Sequence, residues 1–309
     1  MRALCGFILV SLTTVGAGFA RDILVSNVAG DDLFTGQVWE RIPDGSGPVR
    51  TIARALRLAN AGDRVVLAKT AEPYRESFSL VGSRYSGRFG QPFMIVGNGA
   101  ILDGSAAIPA DAWEYCQGQV FRFRPEELGI QQLLLNDRPA LHVSAGLLAK
   151  EPPKLRPLQW SQWNGMIFFC VEKDRLPGDY RLSYAHKQTG ITLYQVEQVV
   201  IADLIVQGFR LDGVNSFNSA RQVYLARLTC RGNGRSGITV GGASTVTLEG
   251  CLAGNNGRSQ LLTLPWSKTT VLASNLLPMT APAWVDEGGT LYLHGKAIQG
   301  GRERISAEE

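Results

Sequence analysis

Val199-Val200-Ile201-Ala202-Asp203-Leu204-Ile205-Val206 is matched without a gap by Val223-Tyr224-Leu225-Ala226-Arg227-Leu228-Thr229-Cys230 and again by Val246-Thr247-Leu248-Glu249-Gly250-Cys251-Leu252-Ala253. A weaker fourth copy starts at Thr270. A shorter motif recurs at the same period, as Gly190-Ile191-Thr192-Leu193, Gly213-Val214-Asn215-Ser216 and Gly237-Ile238-Thr239-Val240, and Leu262-Thr263-Leu264 continues it. Units this short cannot bury an apolar face alone, so they must stack on their neighbours into a solenoid. Within a unit the apolar residues fall at 199, 201, 204 and 206, and the equivalent positions repeat in the next two. Alternation marks strand, and the step of three from 201 to 204 marks a bend between two short strands. Asp203, Arg227 and Gly250 occupy that bend and should face water. Stacked extended coils lie about 4.8 Å apart, which places Leu204, Leu228 and Cys251 over one another. Asn233 should lie over Asn256, where an amide ladder would close the turn.

Leu225, Leu228, Cys230 and Asn233 also fit the leucine-rich-repeat spacing. That architecture needs a helical segment on its outer side. Here the connecting residues 234–242 are rich in glycine and β-branched residues, which oppose helix. The stacked units are therefore coils of a β-helix.

The chain opens with Arg2, an apolar stretch from Ala3 to Val15 and small residues ending at Ala20. This pattern predicts a secretory signal over residues 1–20, too short to span a bilayer, and an exported, secreted or periplasmic protein. Export permits disulfides. Cys230 and Cys251 sit on a diagonal of about 7–8 Å between coils, too long for a bridge, so both are expected as buried thiols. Cys116 and Cys170 are left open as a pair. No Cys/His spacing suggests zinc. Lys and Arg total 31 against 27 acids, a net charge of +4, which suits loose affinity for acidic polymers and carries no nucleic-acid signature.

Ile52, Ala55, Leu56 and Ala59 form one helical stripe, with Thr51 as N-cap and Gly62 as the stop. Strand-like segments follow at 64–68, 78–82 and 93–97. Gly30-Asp31-Asp32, Pro48-Val49-Arg50-Thr51-Ile52, Gly62-Asp63-Arg64-Val65, Tyr74-Arg75-Glu76 and Gly97-Asn98-Gly99-Ala100-Ile101-Leu102-Asp103-Gly104 together resemble the right-handed parallel β-helix proteins of the pectin-lyase-like superfamily. The resemblance covers residues 23–105 and 190–280. It implies an all-β solenoid whose short N-terminal helix caps the first coil. Residues 106–188 interrupt the coils and read as a small inserted antiparallel β subdomain. The expected organisation is a signal peptide at 1–20, cap and first strands at 21–105, the insert at 106–188, coils at 189–280, and a C-terminal cap and tail at 281–309, with residues 289–294 covering the last coil.

Lyases on this fold hold calcium on a uronate carboxylate with acidic residues and use a base, often Arg or Lys. Hydrolases need paired carboxylates. In the coils no two acids occupy equivalent positions, and the outward positions Thr192, Asn215, Thr239 and Thr263 are polar and uncharged. The candidate catalytic residues are Asp203 with Arg227, and Asp212 with Arg210, set against a plain cross-coil ion pair at a turn. No cofactor is required; Asp31 and Asp32 are the candidate calcium ligands, against an ordinary acidic turn. Trp160 and Trp163 are candidates for stacking on sugar, against packing the insert. Arg221, Arg227, Arg231, Arg235 and Arg258 are candidates for lining a groove, with Arg231 and Arg235 as the named binding residues. The expected role is binding or processing a polysaccharide, by a lyase or glycoside hydrolase reaction if the chain is an enzyme. The alternative is a non-catalytic surface or scaffold module.

Overall fold

The computed structural model describes residues 20–302 except 147 and 299; residues 1–19, most of the expected signal peptide, lie outside the described residues. Two long parallel sheets carry the winding. In the first, Asp22–Val25, Arg64–Leu67, Phe93–Asp103, Glu197–Gln207, Arg221–Ala226, Thr245–Glu249, Lys268–Leu272 and Thr290–Leu293 follow one another in spatial order. In the second, Phe78–Val81 is followed by Ile191–Tyr194, Asp212–Ser216, Ser236–Val240, Ser259–Thr263 and Trp284–Asp286. Val199, Val223 and Val246 are in register, as are Val206, Cys230 and Ala253. This is a parallel β-helix.

The predicted column exists. Leu204, Leu228 and Cys251 are buried in one continuous core with Ile201, Leu225 and Leu248. The bend between the strand pairs is made by left-handed backbone: Asp203 (φ 57°), Arg227 (φ 51°), Gly250 (φ 62°) and then Ala273 (φ 43°). The amide ladder forms as well. Asn233 Nδ2 donates to Asn256 Oδ1 at 3.1 Å, and Asn256 Nδ2 donates to the Gln260 side chain at 2.8 Å, all three buried.

Two expectations are corrected by register. Thr239 pairs with Leu262, and Val240 with Thr263, so Leu261-Leu262-Thr263, one residue earlier than predicted, continues the short motif. The coil shortens to 23 residues here, which moves Thr263 to the inside, where its hydroxyl donates to Asp286 Oδ1 at 2.6 Å. Winding also continues past residue 280. Trp284–Asp286 and Thr290–Leu293 add another coil before Lys296–Ile298 and Gly301–Arg302 turn back antiparallel on the two sheets. An antiparallel final strand ends the growth of a parallel sheet.

The helix runs over Ile52–Leu58 with Thr51 as N-cap, its hydroxyl accepting from the Arg54 amide at 3.0 Å. Ile52, Ala55 and Leu56 join the coil core. The insert has its own core, built from Phe123, Leu133, Trp160, Ile167, Phe169, Leu182 and Tyr184. Its strands are antiparallel with one exception: Leu141–His142 runs parallel to Gln159–Trp163. Ser105–Ala107 and Leu182–Ala185 pair at its base. Among the described residues no helix is long and apolar enough to cross a membrane.

Candidate functional site

Most side chains singled out by the sequence are held by partners within the fold. Asp203 and Arg227 form a two-pronged pair, Nε to Oδ1 and Nη2 to Oδ2, both 2.7 Å. The guanidinium hydrogen bonds hold the Asp203 carboxyl below its ordinary range. This pair lies at an outer bend and joins neighbouring coils. Asp212 does not pair with Arg210. The next coil's Arg235 reaches back to it, with Nε 2.9 Å from Oδ1, and Thr239 Oγ1 donates to the same oxygen at 2.9 Å. Arg210 instead donates to the His186 carbonyl and approaches Glu127 on the insert. Cross-coil reach beats the near-sequence pair because stacked residues are only about 4.8 Å apart.

Asp31 and Asp32 do not fit calcium. Asp32 Oδ1 accepts from the Arg50 and Thr51 amides, and Oδ2 accepts from the Thr51 hydroxyl. Burial pushes this carboxyl up, but the Thr51 and Arg50 hydrogen bonds and the Arg57 charge bring it net below its ordinary value. Asp31 Oδ1 takes the Leu33 amide. Donor hydrogens aimed at these oxygens are the wrong surroundings for a cation, and no cluster of three metal-ligating side chains occurs among the described residues. Trp160 is buried in the insert, its Nε1 donating to the Ala140 carbonyl at 3.1 Å. Trp163 is half-buried, donating to the Ala149 carbonyl and touching Phe168 edge-on. Trp160 therefore packs the insert and offers no face to a sugar. Cys116, Cys170, Cys230 and Cys251 are all free thiols, and burial pushes the last three up.

The sequence reading missed a polar junction between insert and coils. Asp103, Gln207 and Arg231 stack in register on successive coils. Asp103 is buried; its oxygens accept from the Ser105 amide at 2.7 Å and Gln207 Nε2 at 2.9 Å, and Arg75 Nη1 lies 3.1 Å away. Arg231 Nε donates to Gln207 Oε1 at 2.9 Å. Burial, followed by the charge of Arg138, lowers the Arg231 guanidinium against the opposing pull of Asp103. Arg75 also approaches Asp137 of the insert, which Arg181 holds as well. The signal was within reach: Gln207 and Arg231 each follow the aligned strand by one residue. Both carboxylates are committed to guanidiniums and amides, so the junction clamps the insert to the coils.

The open site lies elsewhere. On the outer face of the second sheet, near its C-terminal end, Arg235, Arg258, Arg302 and Glu287 surround a groove of about 380 Å³ over Leu262, Leu264, Pro282 and Val285. The repeat positions it. Arg235 and Arg258 precede the equivalent strand starts Ser236 and Ser259, while Val285 pairs with Leu262 and Arg302 with Val285. Arg235 is tied to Asp212. Among the described residues, no ion pair joins Arg258 or Arg302 to an acid. Two of the five arginines expected in a groove, Arg235 and Arg258, therefore reach one. Arg227 lies on an outer bend and Arg231 in the junction.

No protein-family model and no curated protein sequence matches the chain. Solved structures do. A glycoside hydrolase superposes with a TM-score of 0.58 at 11% identity, over 87% of this chain and 74% of that one. A complex of XylC with xylose gives 0.42 over 88% and 69%, and pectate lyase Pel9A gives 0.43 over 90% and 63%, both at 11% identity. The parallel β-helix is a fold this chain shares with that glycoside hydrolase. At this identity the likeness concerns fold alone, and the two scores below 0.5 add nothing to it.

Proposed function

We propose that the chain binds an acidic polysaccharide in the groove of Arg235, Arg258 and Arg302. The observation that carries this reading is the pair of guanidiniums, Arg258 and Arg302, left without an acidic partner among the described residues over an apolar floor of Leu262 and Val285. Guanidinium groups present paired donors that match carboxylate or sulfate, and the floor suits the C–H face of a sugar ring. Export through residues 1–20 would bring the protein to such polymers. Hydrolysis needs two carboxylates across the scissile bond. The groove offers Glu287, whereas neighbouring Asp286 turns inward to Thr263 and the Gly289 amide. Binding is therefore the role the geometry supports best.

Titrating the protein with galacturonate, sulfated and neutral oligosaccharides tests the reading. Acidic ligands should bind, weaken with added salt, and lose affinity in the Arg258→Ala/Arg302→Ala double variant. Equal binding of a neutral ligand, or an unaffected double variant, would refute it.

A further inference from the structure

Trp266 is the most conspicuous side chain that the groove does not use. It is 86% exposed and holds a left-handed backbone, φ 69°. Its equivalents on the two preceding coils share that conformation but are small, Ser219 (φ 64°) and Ala243 (φ 55°). A bulky aromatic is a poor occupant of that region, and this one gains no burial in return. Strain kept without a packing reason points toward function.

The surroundings say which function. Tyr194, Phe217, Gly241 and Leu264 occupy one column at the ends of successive second-sheet strands, as the pairing of Leu193, Ser216, Val240 and Thr263 requires. The column spans three coil spacings, about 14 Å. Phe217 is exposed and Tyr194 half-buried. Gly241 keeps the strip flat: a Cβ there would lie 3.1 Å from Leu264 Cβ and 3.3 Å from Phe217 Cδ2. Leu264 also lines the arginine groove, so groove and strip are continuous, and Trp266 stands two residues beyond it.

We infer that Tyr194, Phe217 and Trp266 form an aromatic platform that extends the groove along the solenoid axis, so that the ligand is a polymer several sugars long and not a single sugar or a chain end. This rests on the reading of the groove as a glycan site. Flat aromatic faces take up the apolar faces of successive rings, while the arginines take the charges.

The test compares galacturonate oligomers of about three and about eight sugars on the full chain, chosen to occupy the groove alone or groove plus strip. The octamer should bind at least tenfold more tightly than the trimer. Trp266→Ala and Phe217→Ala should bring the octamer close to the trimer and leave trimer affinity and the unfolding midpoint unchanged. Octamer binding should also shift the Trp emission of the wild type more than that of Trp266→Ala. Affinity independent of length, or an unaltered octamer affinity in Trp266→Ala, overturns the platform while the groove stands. A neutral octamer that binds through Trp266 without needing Arg258 overturns the acidic groove and leaves the platform. No binding of either oligomer overturns both. A wild type that sediments as a dimer and becomes a monomer on Trp266→Ala assigns the strip to a second copy and overturns the inference.

Discussion

The junction beneath the insert and the groove near the last coil are both rich in arginine, and they differ in what the arginines face. At the junction, Arg75 and Arg181 close on Asp103 and Asp137, and Arg231 on Gln207. In the groove, Arg235 is paired by Asp212, and among the described residues Arg258 and Arg302 have no acidic partner and border apolar residues. Counting arginines does not separate the two places; following each guanidinium to its partner does. A satisfied cluster fixes structure, whereas an unsatisfied one at an accessible surface is available to a ligand.

The sharpest way to break this contrast is Asp103→Ala. Removing Asp103 leaves the buried Ser105 amide and one donor of the buried Gln207 side chain without their acceptor, which costs about 3 kcal/mol. Denaturant unfolding should show a loss of that size, with groove binding by the surviving folded protein unchanged. A variant as stable as the wild type would sink the clamp. Asp212→Ala should cost less, on the order of 2 kcal/mol, because only the buried Thr239 hydroxyl loses its acceptor while the partly exposed Arg235 can turn to water. It should also leave Arg235 free to strengthen acidic-glycan binding, measurable by titration at low salt. Arg258→Ala and Arg302→Ala should each reduce affinity by on the order of tenfold, the weight of one charged hydrogen bond, with unfolding midpoints close to wild type.

The smallest effect should come from Asp203→Asn at the outer bend. The folded carboxyl lies below its ordinary value, so its contribution is present above about pH 4 and fades as the pH falls through the folded pKa. The wild type and variant should therefore differ slightly at neutral pH and converge in acid. A difference that grows on acidification would contradict the pairing with Arg227.

Legibility varied with the kind of contact. The core column, the left-handed bend at Asp203 and Arg227, and the Asn233–Asn256 ladder were all readable because each depends on a residue meeting its own equivalent one period later. The register beyond Val240 was not, since one coil of 23 residues in place of 24 shifts Thr263 inward and lets Leu262 form the groove floor. Asp212 was assigned the nearer arginine in sequence, although Arg235 in the next coil was closer in space. Trp160 stood between stacking on sugar and packing the insert, and only the structure places it in the insert core, because the burial of an insert aromatic depends on how nonrepeating strands close around it.

By itself the sequence determined the solenoid, its stacking period and the residues that fill its axis, because periodic apolar spacing leaves stacked coils as the one way to hide those side chains. Which charges remain unsatisfied was decided only in three dimensions. That outcome depends on where the insert docks and where the returning Gly301–Arg302 strand ends, and both are contacts between segments with no shared period.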